Sequence, residues 1–241
     1  MTEGPNRSWS TIWSSRAPES ASPTSLLDLI RADGFDTPFS FPDPDAWTHY
    51  VRTLNDRLSL PPRSRVYEVG CGAGAFLLPL EELGMQVGGC DLSPALIDLA
   101  RRALKSEDLS VCDAELAPVR PQYDAVIAHG VFQYFADLSY ARSVLSRMVE
   151  KAFHAIAVLD LPDAQREAEE VEARMRAFGG SDSYCERYDG LQVLSFEREW
   201  VVEVLVDLGM GRVTLTDDML PGRPSPSTRF NAIATRHAPD L

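Results

Sequence analysis

Positive charge is scarce in this chain: 23 lysines and arginines stand against 36 aspartates and glutamates, a formal net charge of -13. Sequence-independent binding to nucleic acid or to anionic lipid needs a basic surface, so no nucleic acid or membrane partner is expected. Long apolar runs are also missing, with none near the roughly 18 residues that cross a bilayer. The N-terminal Met1-Thr2-Glu3-Gly4-Pro5-Asn6-Arg7 lacks the apolar core of a signal peptide, and a cytoplasmic location is the expectation. The four cysteines, Cys71, Cys90, Cys112 and Cys185, form no Cys-x-x-Cys pair, which argues against a zinc site or a disulfide framework. Histidine is sparse and there is no internal repeat. At 241 residues, 44% hydrophobic and 24% charged, the chain fits one catalytic domain with additions.

What is present centres on Val66-Tyr67-Glu68-Val69-Gly70-Cys71-Gly72-Ala73-Gly74-Ala75-Phe76. An apolar strand ends there in alternating glycines, and a helix starting near Ala75 would aim its free N–H groups at a ligand in the turn. Glu68, at the strand tip, repels a pyrophosphate but can accept hydrogen bonds from an ammonium. The same residues also satisfy Gly-x-Gly-x-x-Ala through Gly70, Gly72 and Ala75, so a nicotinamide or flavin cofactor stays open at this point. Acids then follow at the ends of successive strands. Gln86-Val87-Gly88-Gly89-Cys90-Asp91 ends in Asp91, placed to accept both hydroxyls of a ribose, with Leu92 against a base. Leu109-Ser110-Val111-Cys112-Asp113 ends in an acid placed to accept from an adenine amino group. Tyr123-Asp124-Ala125-Val126-Ile127-Ala128-His129 supplies a fourth strand.

On these residues the chain resembles the class I S-adenosylmethionine-dependent methyltransferases, closely from Pro61 to Leu161 and elsewhere only in the order of its elements. The resemblance implies S-adenosylmethionine as cofactor. It places the methionine part at Glu68, Gly70, Gly72 and Gly74, the ribose at Asp91 and the adenine at Asp113, with Cys71, Leu92, Ala114 and His129 lining the same site. Cys71, Cys90 and Cys112 are read as small apolar packing residues on the cofactor side of the sheet.

Strands alternating with helices imply an α/β fold with a doubly wound, mostly parallel sheet. The resemblance makes it a seven-stranded, Rossmann-like sheet with a reversed C-terminal strand, drawn from Arg212-Val213-Thr214-Leu215-Thr216 and Arg229-Phe230-Asn231-Ala232-Ile233-Ala234-Thr235. Residues 1–60 read as an N-terminal helical cover, 61–163 as the cofactor-binding core, 164–196 as a cap insertion, and 197–241 as a helix and antiparallel strand pair completing the core. In the cover, Ser22-Pro23 and Asp43-Pro44 each read as a helix cap with a first-turn proline. The residues before Ser22 read as a polar, Ser-rich lead carrying Trp9 and Trp13. The acidic run from Gln165 to Met175 reads as a solvated helix face with opposite-charge pairs.

Methyl transfer from a sulfonium is an in-line displacement, so the protein must align the acceptor, exclude water and deprotonate an acceptor hydroxyl. In a doubly wound sheet the ligands lie beyond the carboxyl ends of the strands. His129 ends strand four there and is the first choice as general base, with Tyr134 and Asp160 as other groups facing the acceptor. Asp160 and Asp163 do not make a pattern strong enough for a metal, and none is expected. Aromatic residues in the cover and cap, among them Trp47, Tyr50, Tyr184, Tyr188 and Trp200, point to a closed pocket for a small organic acceptor. Two alternatives stand beside this reading: a nicotinamide-dependent oxidoreductase, and a non-catalytic protein that only binds the cofactor.

Overall fold

A computed structural model describes residues 9–14, 16, 25–188, 190–218, 220–221, 223 and 227–236. Seven strands form one sheet in the order β3-β2-β1-β4-β5-β7-β6. The strands are β1 (Arg65–Val69), β2 (Gln86–Asp91), β3 (Leu109–Val111), β4 (Tyr123–His129), β5 (Ala152–Pro162), β6 (Arg212–Asp217) and β7 (Arg229–Thr235). The first five run parallel and β7 is antiparallel to both β5 and β6. This is the doubly wound sheet with a reversed terminal strand that the sequence predicts.

Period-two alternation along the buried strands sends neighbouring residues into opposite cores. Val66, Ala125, Ile127, Ala155 and Ala157 pack toward the helices α2 (Leu26–Ala32), α3 (Pro44–Leu58), α4 (Leu77–Glu82) and α5 (Pro94–Ala103). Tyr67, Val69, Val126, Ala128, Ile156 and Val158 pack toward α6 (Leu138–Lys151) and α9 (Arg198–Asp207). Cys90 belongs to this second core, which corrects the expectation that it lines the cofactor side. The three-residue β3 stops at Val111, short of the run to Asp113 read from sequence, because the Asp113 carboxylate caps a short 3-10 turn by accepting from Glu115 N at 2.9 Å.

In the cover, Asp43 caps α3 as expected, accepting from Ala46 N at 2.8 Å, with Pro44 as its first residue. The cap of α2 is Ser25, not Ser22; Ser22 and Pro23 lie outside the described residues. The lead holds a short helix, α1 (Trp9–Ser14), whose two tryptophans are one helical turn apart and stack on Tyr134 with ring centroids at 4.5 and 5.2 Å. The acidic run forms α7 (Glu167–Ala177), followed by α8 (Ser181–Tyr188). Glu170, read as part of a solvated face, is instead buried. Its carboxylate takes Arg229 Nη2 at 2.6 Å, Arg174 Nη2 at 3.0 Å and the Thr228 hydroxyl at 2.6 Å. Charge periodicity cannot reveal this, because Thr228 and Arg229 are some sixty residues away along the chain.

Candidate active site

A cavity of about 590 Å³ lies at the carboxyl ends of the strands, within the roughly 300–1,000 Å³ of small-ligand sites. Glu68, Gly70, Cys71, Gly72, Asp91, Leu92, Asp113, Ala114, His129, Tyr134 and Asp160 all line it. Gly74 is absent from that lining: its left-handed φ of +89° serves a packing turn, where an added Cβ would stand 3.0 Å from the Leu104 side chain of the loop after α5.

The glycine loop is shaped by two close approaches. Gly70 has φ +75°, and a Cβ there would meet Val131 at 2.7 Å. At Gly72, φ +52°, a Cβ would overlap the carboxylate of Asp33, a residue sequence reasoning passed over. Asp33 follows α2 and reaches into the loop, accepting from Ala73 N at 2.5 Å and Ala75 N at 3.0 Å. Those N–H groups are the ones a helix-start anion site would offer, and here a side chain of the cover takes them. Asp91 sits opposite, accepting from Gly72 N at 2.9 Å and Ser93 N at 2.8 Å.

Glu68 completes a ring of three carboxyls. It is 2% exposed, and its Oε2 has no hydrogen-bond partner. Burial, with Asp33 and Asp91 close by, pushes its pKa well above the usual carboxylate range. Loss of solvation pushes Asp33 up to about 7, against the pull of its two backbone N–H donors. An orphaned buried acceptor beside two further acids calls for a cation with N–H donors, and the ammonium of S-adenosylmethionine meets that demand. A dinucleotide pyrophosphate does not, since it would face three carboxyls and find Ala73 N–H and Ala75 N–H already engaged. Among the described residues there is no cluster fit to hold a metal ion.

Beyond the glycine loop the wall is aromatic. The His129 ring lies 5.1–5.7 Å from the ring centroids of Phe35, Trp47, Tyr50 and Phe76. Trp47 Nε1 donates to Ala75 O at 2.8 Å, tying α3 to the loop. The Tyr50 hydroxyl donates to Asp218 at 2.9 Å, so its oxygen is free to accept from His129 Nε2 at 3.3 Å. This network assigns the Nε2–H tautomer and leaves Nδ1 as the basic nitrogen. Burial lowers the His129 pKa to about 4, so the ring is neutral at physiological pH and only a weak base.

Asp160 lines the cavity as expected, but its carboxylate is committed elsewhere. Arg223 grips it with both terminal nitrogens, and Arg229 Nη1 stands 3.3 Å away. The two guanidiniums hold its pKa below the ordinary carboxylate range despite burial, so Asp160 is a fixed anion with little basicity. Its φ of +64° is unusual for a residue with a side chain and falls where the β5–β7 register shifts. Asn231 Oδ1, accepting from Asp160 N at 2.8 Å, and Arg229 Nη1, donating to Asp160 O at 3.0 Å, hold that backbone in place. Tyr134 is roofed by Trp9 and Trp13, and burial raises its pKa. Asp113, besides its capping role, accepts from the Tyr140 hydroxyl.

Sequence reasoning missed Trp9, Trp13, Asp33, Arg174 and Arg223 in this lining. The one-turn spacing of the two tryptophans is a signal that could have drawn out α1. For Asp33 and the arginines there is no local signal.

Residues 67–156 match a family model described as a methyltransferase domain. Over 104 residues, 43% of its length, the chain is 36% identical to a tRNA (carboxymethyluridine(34)-5-O)-methyltransferase ALKBH8 of Macaca fascicularis, but it spans only 15% of that relative. Likewise it spans 33% of a malonyl-(acyl-carrier protein) O-methyltransferase of Acetivibrio thermocellus, at 33% identity over 94 residues, 36% of this chain. Among solved structures, SAM-bound CalS10, an amino pentose methyltransferase from Micromonospora echinaspora, superposes with a TM-score of 0.60 at 17% identity, covering 79% of this chain and 91% of its own. That likeness shows the fold. The match over the central strands makes residues 67–156 a methyltransferase domain, set in the sheet order of the class I S-adenosylmethionine-dependent methyltransferase fold.

Proposed function

We propose that the chain transfers a methyl group from S-adenosylmethionine to a small organic acceptor. The observation that carries this reading is the buried, unpartnered Glu68 Oε2 beside Asp33 and Asp91 at the glycine loop, opening into an aromatic cavity. The bound cofactor supplies an electrophilic methyl group on a sulfonium. Glu68 accepts from its ammonium, and Asp91 uses its remaining lone pairs on the ribose hydroxyls. Gly70 and Gly72 let the loop approach closely, while Cys71, Leu92, Asp113 and Ala114 frame the nucleoside. The acids stand on β1, β2 and the loop after β3, so the acceptor takes the other half of the cavity, over the ends of β4 and β5. There Trp47, Phe35 and Tyr134 exclude water, and His129, neutral with Nδ1 unprotonated, takes the proton of an acceptor hydroxyl.

A small acceptor fits the closed aromatic wall and the net charge of -13 better than a nucleic acid does. The tRNA-modifying relative matches only 43% of this chain, and the chain spans only 15% of that relative. The test is an acceptor screen with isotopically labelled S-adenosylmethionine. Label incorporated into a small molecule, and abolished by Gly72→Val, supports the reading; label carried only into RNA or protein sinks the small-acceptor part.

A further inference from the structure

We propose that the acceptor, besides the hydroxyl that takes the methyl group, bears a carboxylate on an apolar body, this carboxylate being seated against Arg223 and Arg174 on the β4–β5 side of the cavity. This rests on the methyl-transfer reading and names the acceptor class for the same site.

A guanidinium has two forks, one formed by its two terminal nitrogens and one by Nε with its neighbouring Nη. Arg223 spends the terminal fork on Asp160, with Nη2 at 2.7 Å from Oδ2. Its Nε is buried and has no hydrogen-bond partner, while the residue lines the cavity. An N–H left so costs free energy that a ligand oxygen would recover. The second fork of Arg223 is thus unfilled, in a residue that forms part of the cavity wall.

Arg174 comes to the same wall from α7. Its guanidinium carbon lies 4.8 Å from the centre of the Phe39 ring, and that of Arg223 lies 5.7 Å from the same ring. Both arginines and Phe39 line the cavity, so two cations lie over one aromatic ring there. Next to Phe39, Ser40 also lines the cavity, and its buried hydroxyl lacks a partner. Two unfilled donors and a second guanidinium on one wall call for a planar group with two oxygens.

The charges around the wall lean the same way. Arg174, Arg223 and Arg229 face Asp160 and Glu170, both held as anions. The third carboxyl, Asp218, bonds Tyr50 and Asn231 and stands 3.6 Å from Arg223. Burial and the nearby Asp160 push it upward, so it is the carboxyl least held in its charged form. The apolar body of the acid would lie against Phe39, Tyr134 and Trp9.

The test uses the intact protein saturated with S-adenosylhomocysteine, so no turnover is needed. Calorimetric titrations compare benzoate with benzamide, cinnamate with cinnamamide, and octanoate with octanamide. At least one acid should bind about tenfold or more tightly than its amide, in line with one charge-assisted pair. Arg223→Lys, which keeps the charge but loses the fork, should erase most of that preference. Acids that bind no better than their amides, or no binding by any acid, would overturn the proposal, as would a preference for phenyl phosphate over benzoate. Should Arg223→Lys fail to fold, the wild-type pairs and Arg174→Gln decide. Failure of S-adenosylhomocysteine itself to bind would instead strike the methyl-transfer reading.

Discussion

Replacing Asp33 with asparagine should remove about half a proton from the proton release that accompanies S-adenosylmethionine binding near pH 7. The Asp33 carboxyl titrates at about 7 because lost solvation outweighs the N–H groups of Ala73 and Ala75, with Asp91 adding repulsion. At a pH equal to that value, half the molecules carry the proton. A sulfonium and an ammonium arriving beside the loop favour the charged carboxylate, so binding expels what proton is there. Glu68 is also pushed up, by burial first and in part by Asp33 itself, so the substitution relaxes it toward its ordinary range. The sign extends to stability: a folded pKa raised from 3.8 to about 7 means that the free protein loses stability as pH rises across that interval, by a few kcal/mol at most. An asparagine amide in place of this carboxyl would not titrate, and that slope would flatten. Calorimetry in two buffers of different ionisation enthalpy measures the release, and S-adenosylhomocysteine, without the sulfonium charge, should release less. Equal release by the wild type and Asp33→Asn, or none by either, would refute the linkage between the loop carboxyls and the cofactor charge.

Other outcomes follow from the same geometry. Glu170→Gln leaves Arg229 and Arg174 buried against a neutral partner and should cost about 3–5 kcal/mol in urea unfolding; a loss under about 1 kcal/mol would contradict the buried network. With His129 lowered to about 4, a hydroxyl acceptor should turn over at a rate that is flat near neutrality and declines only toward pH 4. A decline centred near 6.5, the ordinary histidine value, would contradict the burial argument. Trp9→Ala removes the ring stacked on Tyr134 and the 2.6 Å bond to Gln192 O. It should raise the acceptor KM by about tenfold and leave S-adenosylhomocysteine affinity near wild type.

The strands are legible because buried strands write their pattern locally: β2, β4 and β7 fall where apolar alternation and flanking turns put them. The loop from Gly70 to Ala75 is legible for the same reason, as a strand, a turn and a helix start in one short stretch. Gly74 shows the limit of that motif, since the same glycine signal serves packing against Leu104 as readily as a ligand. Asp33 is hidden because its partners are some forty residues onward and meet it only when α2 folds over the sheet. Arg223 and Arg229 are hidden too: a guanidinium in a polar stretch reads as surface until β5, β7 and α7 bring Asp160 and Glu170 to it. The helix α1 reads as a polar lead because its serines outvote two tryptophans whose spacing already marks one face.

The most direct test is a calorimetric titration of the protein, and of Glu68→Gln, with S-adenosylmethionine, S-adenosylhomocysteine and NADH. Saturable binding of both adenosyl compounds, weakened about tenfold or more in the variant, and no binding of NADH, is the predicted result. Binding of NADH alone, or adenosyl binding that ignores the loss of the Glu68 charge, would contradict the assignment of this loop.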